Sequence, residues 1–133
     1  MPDPSRVPAE LRPFPVIPPA DIAAARRRTF EFERTNGQWA INSRQACDLA
    51  RVDATPRIGI GGVWRLVSVG GGWWHPIHVH HEFVRVLRRN GRLPFDGTGA
   101  DTGQSVERDG VARKDTILLG PNSDVEVFVK LED

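Results

Sequence analysis

The chain lacks most of the features that would assign it to a specialised class of protein. Cys47 is the only cysteine in 133 residues, which excludes an internal disulfide. No apolar stretch approaches the roughly 20 residues that cross a bilayer, so no membrane span is expected. The N-terminus has no basic start and apolar middle of a signal peptide, which would place an intact protein in the cytoplasm. A net charge of +1 gives no electrostatic footprint for nucleic acid.

Proline is concentrated at the N-terminus. Seven of the eleven prolines fall within the first 20 residues, and each fixes φ and removes a backbone donor. Residues 1–21 are therefore predicted to be an extended linker or arm, followed by one partial domain over 22–133. Residues 21–26 could form one or two helical turns capped by Asp21.

Beyond the arm, apolar and polar residues alternate with the period of two that is typical of half-buried strands. The first two strands are joined by Asn36-Gly37, a dipeptide suited to a tight hairpin turn. Short strands with turn residues between them and almost no helix predict an all-β fold, an antiparallel sandwich or a small barrel. Because no strand follows the last one to pair with it, the domain is expected to be incomplete at its C-terminus. The predicted strands are 28–34, 38–42, 63–69, 75–87, 116–119 and 124–131, with a polar loop at about 90–113.

All four histidines of the chain lie within seven consecutive positions. Side chains two apart on a strand point to the same side, so His78 and His80 are predicted to project together and His81 to the other side. His75 is separated from the strand by Pro76, which fixes the local backbone and lets the ring aim elsewhere. The sequence thus predicts a pair of imidazoles and one outlier.

This pattern is typical of a metal site. Two imidazoles about 6–7 Å apart by strand rise can bind two ions of one cluster or, with some bending, share one ion. Imidazole binds copper, zinc, iron and nickel, so histidine alone does not select the metal. The predicted metal ligands are His75, His78 and His80.

Other residues near the histidines or capable of binding metal are given structural interpretations. His81 is predicted to be structural or exposed. Trp73 and Trp74 are expected to pack at the start of the strand rather than shield a metal ion. Cys47 is interpreted as a small buried or half-buried residue, since no histidine lies near it in sequence.

The histidine segment HPIHVH at 75–80 is preceded by WRLV at 64–67 and followed by F-x-x-V-L at 83–87. Together these motifs resemble the last cupredoxin domain of multicopper oxidases, the family of laccases, bilirubin oxidases and bacterial copper and manganese oxidases. The resemblance implies a cupredoxin-like Greek-key β-sandwich or barrel and extends from about residue 28 to the end. There is further similarity in the opening hairpin 30–42 and at 113–123.

The same resemblance implies a function and a cofactor. In such enzymes the three histidines of this motif bind, in order, the type 1, the type 2 and a type 3 copper. Carried over, copper would be held as type 1 through His75, type 2 through His78 and type 3 through His80. The implied activity is one-electron oxidation of a reducing substrate at the type 1 copper, coupled to dioxygen reduction at a trinuclear cluster. Preceding cupredoxin domains would be partners, and the family suggests a periplasmic or extracellular location.

The chain departs from the family in several places. The family domain continues with a His-Cys-His segment, a further histidine and an axial methionine or leucine, whereas no histidine follows His81 and no cysteine follows Cys47. His81 also stands where the family often has glycine. The chain is therefore expected to be a fragment of the enzyme, incomplete at both ends and inactive alone.

Alternative functions are open. A stand-alone module could store or deliver copper through the same three histidines, and a degraded domain could keep the fold without metal. A cupin would use His-x-His, and Gly72 lies six positions before His78 as in a cupin motif. However, Val84 and Arg85 occupy the positions of the cupin glutamate, and no later histidine exists. The substrate stays open among phenols, metal ions and bilirubin-like pigments.

Overall fold

The computed structural model describes residues 5–6, 16–45, 50–91 and 114–132. Most of the predicted proline-rich arm, Cys47 and most of the predicted polar loop lie outside these ranges. No helix among the described residues is long and apolar enough to cross a membrane. The described elements are α1 (Pro19–Ala24), β1 (Arg26–Thr35), β2 (Gln38–Ile41), β3 (Arg44–Gln45), β4 (Gly61–Ser68), β5 (His75–His78), β6 (Arg85–Arg89), β7 (Thr116–Leu119) and β8 (Asp124–Lys130).

The strands form two layers. The larger sheet has the order β3-β2-β1-β4-β8-β6, and the smaller sheet pairs β5 with β7. All the described strand pairs are antiparallel except β1 with β4, which run parallel and are joined through β2, β3 and a long connection. The predicted all-β sandwich is confirmed, with one parallel pair that the expectation of an antiparallel sandwich did not include.

The first hairpin forms as predicted. Asn36 and Gly37 both have positive φ, 53° and 78°, as a tight two-residue hairpin turn requires. Thr35 then pairs directly with Gln38. The helix is predicted less well, because α1 begins with a proline in its first turn and Asp21 makes no capping hydrogen bond.

The core lies between the two layers. Val125 and Val127 of β8 and Leu66 of β4 face Ile117 and Leu119 of β7, and each is at most 2% exposed. This burial of branched aliphatic side chains from both sheets is what holds the small sheet against the large one.

The outer face of the large sheet carries several ion pairs. Glu126 lies 3.8 Å from Arg27 and 3.9 Å from Arg88, and the Arg65 Nε donates to Asp124 Oδ2 at 2.9 Å. Such exposed ion pairs add little to stability. The same face also carries Val63 and Phe128, which are buried.

The predicted strand 75–87 is wrong as a single element, because it forms β5 and β6 in different sheets. His81 adopts a left-handed φ of 67° at the turn between them. The Val84 N–H then donates to the Lys114 carbonyl at 2.6 Å as the chain crosses to the large sheet. The histidine segment therefore lies at the point where the chain changes layers.

Candidate metal centre

His75 and His78 lie on opposite faces of the two-stranded sheet. In the β5–β7 register His75 is opposite Leu119 and His78 is opposite Thr116, and directly opposite residues share a face. Leu119 is buried in the core, whereas Thr116 is exposed. His75 is thus on the inner face and His78 on the outer face, so the two rings are separated. The prediction that Pro76 separates His75 from the strand is wrong, because both residues belong to β5 and alternation along the strand places His75 on the inner face.

His78 and His80 project to the same side. Their ring centroids are 4.7 Å apart with the planes at 63°, and both residues are exposed. The rings are closer than the strand rise predicts, since β5 ends at His78 and His80 begins the turn. Alternation does not extend to His81, whose exposed ring lies 6.2 Å from that of His80.

The contacts of His78 favour one tautomer of its ring. Its Nδ1 lies 3.2 Å from the Asp115 carbonyl oxygen and 3.2 Å from Thr116 Oγ1. Because a carbonyl oxygen only accepts, the contact with Asp115 is a hydrogen bond in the Nδ1–H tautomer, which leaves the lone pair on Nε2. An imidazole oriented through one nitrogen by a backbone carbonyl, with the other nitrogen free to bind, is the usual arrangement of a metal-ligating histidine.

His75 lies in an aromatic environment. Its ring centroid is 5.1 Å from that of Trp39, edge to face, and 6.2 Å from that of Phe32. Desolvation by this burial lowers the pKa of His75 below the ordinary histidine value. Burial therefore favours the neutral imidazole, which is the form that binds a metal ion.

The sequence analysis did not place Trp39 or Phe32 beside His75. Trp39 also packs edge to face on Trp73, with ring centroids 5.7 Å apart. The Arg34 guanidinium carbon lies 5.5 Å from the Trp39 ring and 5.1 Å from the Trp73 ring. Trp73 thus packs at the start of β5 as predicted. Only the even spacing of Arg34 and Phe32 along β1 could have indicated that they share a face.

The three predicted ligands do not converge on one ion. Across 16–45, 50–91 and 114–132, no group of three histidine, cysteine, aspartate or glutamate side chains could hold a metal. The donors nevertheless fit copper chemically: two adjacent imidazoles, one with its Nε2 lone pair free, and a third kept neutral on the other face. Each group would need further ligands from other polypeptide to complete a site.

Comparisons with known proteins identify relatives that match most of the chain. No family model matches the chain. The chain is 35% identical over 127 residues to a bilirubin oxidase from Albifimbria verrucaria, an alignment that covers 95% of the chain and 20% of that protein. A multicopper oxidase structure from Pseudomonas thermotolerans aligns with a TM-score of 0.62 and 26% identity over 98% of the chain and 28% of its own. A metallo-oxidase of the same family from Campylobacter jejuni aligns with a TM-score of 0.67 and 20% identity over 98% of the chain and 28% of its own.

These matches extend along nearly the whole chain and favour the multicopper oxidase interpretation over the cupin alternative. The chain spans about a fifth of the length of its curated relative. Its two-layer sheet arrangement matches a portion of each solved structure. Over nearly its whole length the chain is therefore similar to one segment of the multicopper oxidases, and its fold is a cupredoxin-like β-sandwich.

Proposed function

We propose that the chain forms most of the C-terminal cupredoxin domain of a copper-dependent oxidase, which couples one-electron oxidation of a substrate to the reduction of dioxygen. Within it, His75 is the type 1 copper ligand, His78 the type 2 ligand and His80 a type 3 ligand. The observation that carries the proposal is the position of the rings: His78 and His80 adjoin on the outer face of the small sheet, and His75 lies on the inner face.

The chain's own residues hold these donors in the form that ligation needs. Copper, when bound, supplies one-electron chemistry between a reducing substrate and dioxygen. The Asp115 carbonyl and the Thr116 hydroxyl both lie 3.2 Å from Nδ1 of His78 and favour the Nδ1–H tautomer, which keeps the Nε2 lone pair for a metal ion. Trp39 and Phe32 exclude water from one side of His75 and keep its imidazole neutral.

Other cupredoxin domains in the same enzyme would supply the missing ligands. This assignment is supported by the relatives, each of which is about four to five times as long as the aligned part. The proposed location is periplasmic or extracellular, as in the family. The substrate class is left among phenols, metal ions and pigments.

The test has two parts. The chain alone is expected to bind copper weakly and to show no oxidase turnover, because each centre would lack most of its ligands. Strong blue absorption from the isolated polypeptide would contradict the ligand assignment. Reading the coding sequence beyond Asp133 is the complementary test, and a His-Cys-His run soon after that residue is expected.

A stand-alone copper-binding module is a second candidate, favoured by the exposure and closeness of the His78 and His80 rings. Calorimetric titration of the chain with copper separates the two functions. A tight, stoichiometric site supports the module. Weak copper binding, whose heat signal is lost when a mild competing chelator is present, supports the oxidase domain.

A further inference from the structure

One end of the sandwich holds a groove that is separate from the histidines. The first half of β1, the start of β4 and the end of β8 line it, together with the connection at 55–60. His75 contacts Phe32, which is six residues beyond Arg26 on β1. Six residues of strand span about 20 Å, so the groove lies far from the candidate copper ligands.

Three arginines line this groove. Arg26 and Arg28 share the inward side of β1 with Phe30, and Arg57 comes from the connection. The Arg28 Nη1 donates to the Asp53 carbonyl at 3.3 Å, which leaves its charge uncompensated by a carboxylate. Within the described ranges, the side chains of Arg26 and Arg57 make no hydrogen bond or ion pair, and no acidic residue lines the groove.

This arrangement differs from the charge pattern on the other side of the same strand. Arg27, between Arg26 and Arg28 in sequence, points to the outer face and lies 3.8 Å from Glu126. Arginines at inward-facing strand positions are uncommon, because such positions ordinarily bury apolar side chains. Three like charges around one groove repel each other and create a positive potential that favours an anion.

The other walls of the groove are apolar. Trp64, Ile60 and Leu131 line it beside the backbone of Gly62. A Cβ on Gly62 would lie 3.1 Å from the Trp64 Nε1, so the absence of a side chain leaves the floor open. The cavity volume is about 110 Å³, which is near the size that admits a single aromatic ring.

We propose that this groove is a binding site for a small organic carboxylate with one aromatic ring. The carboxylate pairs with the guanidinium groups of Arg26 and Arg57, which can engage both oxygens of a planar anion. The ring lies against Trp64, Ile60 and Leu131, which are apolar surfaces of matching size. The site is independent of copper and of the oxidase assignment.

The test uses benzoate as the probe and follows backbone amide shifts of the chain during titration. Benzoate should bind saturably with a dissociation constant on the order of 1 mM and shift amides of residues 55–64. Benzyl alcohol, which has the ring without the charge, and acetate, which has the charge without the ring, should each bind at least about 5-fold more weakly.

Matched variants separate the groove from general surface charge. Arg26→Gln should weaken benzoate binding about 5-fold to 10-fold, the effect of one charge-assisted hydrogen bond, whereas Arg27→Gln should leave it unchanged. Ile60→Ser should also weaken binding, and Val52→Ser, an exposed change in the same connection that does not line the groove, should not.

Three results would overturn the proposal. The first is no saturable shift from benzoate. The second is equal affinity for benzoate and benzyl alcohol, which would leave the arginines without a role. The third is equal weakening by Arg26→Gln and Arg27→Gln, which would show only non-specific attraction to a basic surface.

Discussion

Replacing Thr116 by valine removes one of the two acceptors that hold the His78 ring. Valine keeps the branched shape suited to β7 but cannot accept the Nδ1 proton, so only the Asp115 carbonyl is left. A neutral hydrogen bond contributes about 0.5–1.5 kcal/mol net. Both contacts are 3.2 Å long and the His78 side chain is 47% exposed, so the lower end applies.

A loss of about 0.5 kcal/mol corresponds to a change of about 2-fold in the ratio of the Nδ1–H to the Nε2–H form of His78. The ¹⁵N shifts of the two ring nitrogens, measured well above the histidine pKa, report this ratio directly. Thr116→Ser keeps the hydroxyl and is the matched control, expected to give the wild-type ratio. A wild-type His78 protonated mainly on Nε2 would refute the reasoning, as would an unchanged ratio in Thr116→Val.

Further predictions concern stability. Because burial lowers the pKa of His75, the unfolded chain binds its proton more readily, and the free energy of unfolding should fall as the pH drops below about 6.5; denaturation at several pH values should show a shallower fall in His75→Gln, and identical slopes would contradict this. Leu119→Ala empties a 0% exposed core position and should cost about 2–4 kcal/mol in urea unfolding. The matched Leu118→Ala, at a position 52% exposed on the same strand, should change the free energy by less than about 0.5 kcal/mol; equal costs would mean that β7 is not packed as described. Gly61→Ala places a Cβ 2.4 Å from the Phe128 ring and should lower the denaturation midpoint by an amount equivalent to about 1–3 kcal/mol, whereas an unchanged midpoint would show that the ring moves freely.

The sequence predicted what depends on local chemistry. The Asn36-Gly37 dipeptide predicts a tight turn because both residue types tolerate positive φ, and both adopt it in the structure. The alternation of apolar and polar residues predicts the strands on either side. The grouping of His78 with His80 also follows from alternation, because the backbone stays extended through Val79, whose N–H donates to Asp115 at 2.8 Å.

The sequence contains a signal that the predicted strand 75–87 divides in two, and the sequence analysis did not use it. Inward-facing apolar residues occupy odd positions at Ile77 and Val79 and even positions at Val84 and Val86. A change of parity means that one continuous strand cannot place all four in the core. The layer change between β5 and β6 satisfies both sets.

Other features depend on tertiary packing and could not be predicted from the sequence. The contact of His75 with Trp39 joins residues 36 positions apart and requires the two sheets to pack. Similarly, Arg26 and Arg28 lie on the same side of β1 as the core residue Phe30, yet they line an open groove. Propensity and periodicity do not encode how far one sheet covers another.

The central claim is that His78 and His80 serve one copper cluster and His75 a separate copper ion. The most direct measurement is a crystal structure of the copper-loaded polypeptide that contains this chain together with its companion domains, with copper located by anomalous diffraction at the copper edge. The account predicts one copper at the His75 imidazole and a distinct group of copper ions at His78 and His80. A single ion bound by all three histidines, or no copper at His78 and His80, would contradict it.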